Sequence, residues 1–219
     1  MAASGKRRYA SALRSRSAEA TKTRVLDAAK ELFTNQGIDG VTIARIAETA
    51  GVAAATVYAL FKSKEGILRA LMRASLFGQK FQDALALLEG VTDPVSLIAL
   101  TAHVARAIYE SESAELGLFR GVSAFSPALR KMEQEFETTR FEMQEKRVDH
   151  LFAKAKQREG LRLDEARRIL WMYTSREIYR MLVHEGGWTP DRYQQWLSET
   201  LVRALVDDAA GREWASSRD

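Results

Sequence analysis

Along the chain, apolar side chains recur at spacings of three and four, and nowhere do they alternate with polar ones over a run bounded by turn residues. That is the helical period, and with no Asn-Gly step to close a hairpin it predicts an all-α chain. The first amphipathic run covers residues 21–35, with Val25, Leu26, Ala29, Leu32 and Phe33 on one face and Gly37 as its stop. Further helices are predicted from Thr42, from near Ala53 and from Ser63, then over 93–111, 114–123 and 127–157. The three prolines, Pro94, Pro127 and Pro190, each follow a polar residue and head a periodic run, where proline suits the first helical turn.

The run 127–157 carries one stripe (Leu129, Met132, Phe136, Met143, Val148, Leu151, Phe152, Ala155) and predicts a helix about 45 Å long. Residues 164–185 are apolar on several sides at once, through Ile169, Leu170, Trp171, Tyr173, Ile178, Met181 and Leu182, and so predict one helix buried on more than one side. Residues 190–207 place Tyr193, Trp196, Leu197, Thr200, Leu201, Ala204 and Leu205 along one seam. The tail after it, AAGREWASSRD, is expected to fray. No repeat of fixed period occurs, which disfavours a solenoid.

Within VTIARIAETAGVAAATVYALFKSK, residues 41–64, three small or branched residues form a set: Ala47, Gly51 and Val57. A small side chain allows close approach, glycine allows the positive φ of a tight turn, and the valine fills the angle, as two short helices crossing steeply require. Ile43, Ile46, Val52 and Leu60 are predicted to complete this local core. The other face of the second helix is then Ala53, Ala54, Thr56, Tyr58 and Ala59, small enough to enter a DNA major groove about 12 Å wide. A helical hairpin in an ordinary bundle fits the same spacing. Thr42 and Lys64 at helix starts, with Arg45 and Lys62 nearby, can hold phosphates; Thr42 and Ser63 can equally be plain caps.

Charge sharpens this picture. Residues 1–64 hold 11 basic and 5 acidic groups, a net +6, while the remainder is net −2, so a polyanionic partner belongs to the first third. Residues 1–20 read as a basic flexible arm, which reaches a minor groove or stays solvated, and the composition of residues 1–18, five basic side chains and no acid, also suits a transit peptide. The chain has no cysteine, which excludes disulfides and thiolate chemistry, and a reducing cytosol is the default. No apolar run approaches the roughly 20 residues of a membrane span, so no membrane partner is expected. The three histidines, His103, His150 and His184, lie far apart without metal-binding spacing, and no phosphate-cradling glycine loop occurs, so neither an enzyme nor a cofactor or metal is expected. A nucleoid-type binder without sequence preference remains the rival among DNA-binding readings.

The run from Thr23 to Leu68 resembles the DNA-binding domain of TetR-type transcriptional regulators, through Ala28, Ala29, Leu32, Phe33, Gly37, Thr42, Ile46, Ala47, Gly51, Val52, Thr56, Tyr58, Phe61, Lys64 and Glu65. The resemblance implies a helix-turn-helix domain over 21–68, a larger helical ligand-binding and dimerisation domain over 69–208, and a cytosolic, nucleoid-associated repressor released from a pseudo-palindromic operator by a small-molecule effector; activation, or regulation without an effector, is the alternative. It implies phosphate contacts at Thr42, Tyr58 and Lys64, and base contacts between Ala53 and Ala59, chiefly Ala54 and Thr56. The polar residues usual after the glycine-valine pair are alanines here, which shifts weight toward methyl contacts and DNA shape. An effector pocket is expected among Phe77, Phe81, His103, Tyr109, Phe119, Met143, Trp171 and Tyr173, each of which also reads as core. A homodimer interface is expected from the last two helices, at Trp171, Ile178, Leu182, Trp196, Leu197 and Leu201, with Arg176, Glu177 and Arg180 inside it or on its wet rim.

Overall fold

The computed structural model describes residues 3–110 and 127–217. Its helices are α1 (Ala3–Gln36), α2 (Ile43–Thr49), α3 (Ala54–Phe61), α4 (Lys64–Leu76), α5 (Gln79–Ala86), α6 (Pro94–Glu110), α7 (Pro127–Ala153), α8 (Leu163–Tyr173), α9 (Arg176–Tyr179), α10 (Pro190–Leu205) and α11 (Asp208–Ser216), with a π-helical turn at Arg180–Glu185. One isolated bridge, Gln157 to Val206, is the sole strand-like pairing among the described residues, so the chain is all-α. All three prolines open helices, at α6, α7 and α10. The helix expected over 114–123, and Phe119 with it, lies outside the described residues.

The chain divides into two compact units, residues 1–74 with 114–129 and residues 75–113 with 130–219. The first stretch of the first unit ends at residue 74. In the first unit, Val25, Ala28, Ala29, Leu32 and Phe33 line the buried face of α1. The helix stops where Gly37 takes φ +73° and donates its N–H to the Phe33 carbonyl at 3.0 Å. Its start at Ala3 corrects the expected start at 21 and the arm over 1–20. The run rich in Ala, Arg and Lys has no apolar stripe in its sequence to mark it as helix, but its propensity extends a helix already nucleated downstream.

In the second unit α6 is the central element, buried along Val95, Ile98, Ala99, Ala102 and Ala105. Its alanines allow α10 to pack closely, and the Ser198 hydroxyl of α10 donates to the Ala99 carbonyl at 3.0 Å. Tyr193, Leu197, Leu201 and Leu205 of α10 are wholly buried in this core. Helix α5, which the pattern reading missed, buries Phe81 and Ala84. Phe77 sets its ring 5.0 Å from Phe81 and 5.3 Å from Phe136 of α7. Within the described residues the tail is helical over Asp208–Ser216: Asp207 caps α11 by accepting from the Ala209 and Ala210 amides, and Ala210 is buried.

The single helix expected over 164–185 is broken at Thr174, which is 1% exposed. Its hydroxyl donates to the Leu170 carbonyl at 2.7 Å and accepts from Arg140 Nη1 at 2.8 Å and Gln144 Nε2 at 2.7 Å. Its carbonyl accepts from the Tyr109 hydroxyl at 3.0 Å instead of continuing the helical ladder. The chain restarts as α9 with Ser175 as N-cap. Arg140 and Gln144 are themselves buried, so Thr174→Val would strand two donors. We expect the unfolding free energy to fall by about 2–4 kcal/mol, read from urea denaturation; a shift under roughly 0.5 kcal/mol would mean that the network contributes nothing net.

Candidate nucleic-acid interface

Thr42 caps α2, its hydroxyl accepting from the Arg45 amide at 3.2 Å, and Ile46 and Ala47 are buried beneath. The chain then turns through 111° between α2 and α3, with Gly51 at φ +64° and the Val52 amide donating back to the Ala47 carbonyl at 3.0 Å. This is the angle of a helix-turn-helix. A β-carbon on Gly51 would meet nothing within 4 Å, so glycine is required there by backbone conformation and not by space. Val57 and Phe61 close the corner from α3. Leu60, expected in this core, is instead 38% exposed: it follows Val57 by three residues but rotates off the buried side that Val57 and Phe61 share at a spacing of four.

The outer face of α3 is as the sequence predicts. Ala53, Ala55, Tyr58 and Ala59 are exposed, Ala54 and Thr56 partly so, and Tyr58 projects with 52% of its surface in solvent. Ala53 stands at the N-cap with no side-chain hydrogen bond; the Thr56 amide donates to the Ala53 carbonyl at 2.9 Å, which leaves the Ala54 and Ala55 amides of the first turn to face an outside acceptor. Lys62 ends α3 at φ +67°, an uncommon conformation for a residue with a β-carbon, and is exposed. Arg45 pairs with Glu48 at 2.7 Å on the surface, an exchangeable contact.

Lys64 departs from expectation. Its ammonium donates to the Ile38 carbonyl at 2.7 Å and the Val41 carbonyl at 3.2 Å, tying the loop between α1 and α2 to the start of α4. Two of its three donors are therefore taken inside the unit. Ser63 is a cap, accepting from the Gly66 amide at 3.1 Å. The Glu65 carboxyl in the same turn is held below its usual range by its own backbone amide and the Ser63 hydroxyl, with Lys64 adding to them against a small burial effect.

In the second unit the candidate ligand residues separate. Met143 lines a cavity of about 20 Å³ between α6 and α7, together with Val104, Ile108, Gln144, Arg147 and Thr174. Tyr109 is buried with its hydroxyl committed to Thr174, and Trp171 lies 5.1 Å beneath the Arg140 guanidinium. His103 is held at 3.0 Å from Gln194, and Tyr173 packs edge-on to Trp196 at 6.4 Å; neither lines that cavity. Pattern reading missed Gln144 and Arg147, although their spacing from Arg140 keeps all three on one face of α7. Leu197 and Leu201, expected at a dimer interface, are fully buried within the same chain, because their seam faces α6. Trp171, Ile178, Leu182 and Trp196 are half-buried, while Met172 and Met181 are 47% and 45% exposed.

Residues 25–71 match the sequence profile of bacterial regulatory proteins of the tetR family. Over this segment the chain is similar to the DNA-binding region of that family. It is 42% identical over 52 residues to the HTH-type transcriptional regulator YvkB of Bacillus subtilis, a match covering 24% of this chain and 28% of that protein. It is 32% identical over 103 residues to the HTH-type transcriptional repressor KstR2 of Rhodococcus jostii, covering 42% and 49%. The chain thus spans less than half the length of either curated relative. The solved complex of SmeT with triclosan shares the fold, with a TM-score of 0.66 at 21% identity over 86% of this chain and 93% of that one. No helix among the described residues is long and apolar enough by itself to cross a membrane.

The Lys64 geometry yields a test. Lys64→Ala leaves two loop carbonyls without their donor, and we expect it to lower the unfolding free energy by about 1–3 kcal/mol in denaturant titration. An unchanged midpoint would mean that the tie contributes nothing and would return Lys64 to a phosphate-binding role.

Proposed function

We propose that the chain is a homodimeric, sequence-specific transcriptional repressor that a small molecule removes from its operator. The observation that carries this reading is the steep α2–α3 corner, whose second helix turns a face of small side chains to solvent. Ala53, Ala54, Thr56 and Ala59 give the clearance a recognition helix needs. Ala54 and the Thr56 methyl suit thymine methyl groups, and the Thr56 hydroxyl is the polar group nearest them. Thr42, Arg45, Tyr58 and Lys62 surround this face with hydroxyls and cations suited to phosphates, and the net positive charge of residues 1–64 adds long-range attraction. With so few hydrogen-bonding side chains on α3, much of the discrimination falls to groove shape.

Repression is supported by the curated description of KstR2, and a small effector by the SmeT complex. A second copy of the chain supplies the symmetry that a pseudo-palindromic site demands. The half-buried Trp171, Leu182 and Trp196, with the exposed Met172 and Met181, offer the apolar surface for it. An effector acts by binding one dimer geometry better than the other. All of this fits the bacterial cytosol.

Fluorescence anisotropy on DNA from upstream of the protein's own gene, against scrambled competitor at two salt concentrations, tests the reading. We expect a preference of about 10³-fold or more. Thr56→Val and Ala54→Ser should change which operator wins, whereas Lys62→Ala should weaken all sequences alike and reduce the salt slope by about one unit. Equal affinity for all DNA at matched salt would identify a non-specific binder instead.

A further inference from the structure

Among the described residues of the second unit, the partly buried arginines have partners, with one exception. Arg106 bonds Glu110 and Asp191, Arg140 bonds Glu137 and Thr174, and Arg167 pairs with Glu145 and Asp149. Arg147 lines the cavity between α6 and α7 and has no carboxylate, carbonyl or ring partner. Burial pushes its guanidinium pKa down, and nothing offsets that push. Yet arginine keeps its proton, so a partly desolvated cation is held there uncompensated.

One turn earlier on the same face, Gln144 is 6% exposed and its Oε1 has no donor. Its orientation is fixed by chemistry. The Thr174 hydroxyl gives its hydrogen to the Leu170 carbonyl, so it can only accept from Gln144, which forces the amide nitrogen toward Thr174. An acceptor without a donor and a cation without an anion therefore lie side by side, against the apolar walls of Val104, Ile108 and Met143.

We infer that this face of α7 binds an organic acid with an apolar body and a hydroxyl beside its acid group, the carboxylate held by Arg147 and the hydroxyl donating to Gln144 Oε1. Both orphaned groups are then satisfied, and the apolar wall favours such an acid over a bare inorganic anion. The cavity of about 20 Å³ has room for one water, so the body of the ligand must part α6 from α7 as it enters. Met143 is the wall most able to yield. An acid that binds only the parted arrangement distinguishes two states of the unit, which is what the proposed repressor needs; the regulatory consequence, though not the binding, rests on that reading.

The test is thermal unfolding and titration calorimetry of the full chain, without DNA, using β-hydroxyoctanoate, octanoate and the methyl ester of β-hydroxyoctanoate. The hydroxy acid should raise Tm, octanoate should bind about three- to tenfold more weakly for want of the hydroxyl, and the ester should not bind. Arg147→Met should raise the Tm of the ligand-free protein, since an unpaired charge is removed, and abolish the response to the acid; Arg147→Lys should retain part of it. The inference is overturned if the wild type ignores the hydroxy acid, if the ester binds as well, or if Arg147→Met lowers the ligand-free Tm, which would make the arginine a structural cation. Because no DNA is present, these outcomes are independent of whether the protein finds an operator.

Discussion

The second unit depends on one hydroxyl. Thr174 stands where a long apolar run would otherwise continue as helix, and its side chain and carbonyl together engage α6 through Tyr109, α7 through Arg140 and Gln144, and α8 through Leu170. Buried polar groups tolerate few arrangements, because each must keep its partner or lose a hydrogen bond with no water to replace it. The break at Thr174, the direction of α9 and the inward aim of α7 are thus set together. The same network decides which groups on α7 are satisfied and which face the cavity unsatisfied.

The first unit rests on a different constraint, the steep turn between α2 and α3. Ala47 and Gly51 allow α2 and α3 to meet steeply, Val57 and Phe61 fill the angle, and Lys64 holds the α1–α2 loop by its carbonyls. A corner fixed this way leaves α3 with one committed face and one uncommitted face. The uncommitted face is nearly all alanine, so its chemistry is mainly that of shape.

Much of this was legible in the sequence. Gly37 and the prolines marked helix ends correctly because their effects are local: positive φ, or a missing N–H. The α2–α3 corner was legible because it depends on a small residue, a glycine at positive φ and a branched residue at fixed spacing. What escaped were features without a local signature. The extension of α1 to Ala3 has no apolar stripe, and Lys64 read as a surface cation because its carbonyl partners lie more than 20 positions away. Leu197 and Leu201 show an apolar seam in the sequence, but a seam does not say whether it meets its own chain or a copy.

By itself, then, the sequence determined the all-α class, most helix starts, and the small-residue corner with its basic surroundings, since each follows from periodicity, backbone conformation or composition within a few residues. The tertiary structure alone decided that α10 spends its apolar seam on α6, that Thr174 interrupts a run of helical period, and that Arg147 lines the same cavity as Gln144 without a partner among the described residues. These are outcomes of which distant groups meet, and hydrogen bonds and burial between elements are properties of the assembled fold.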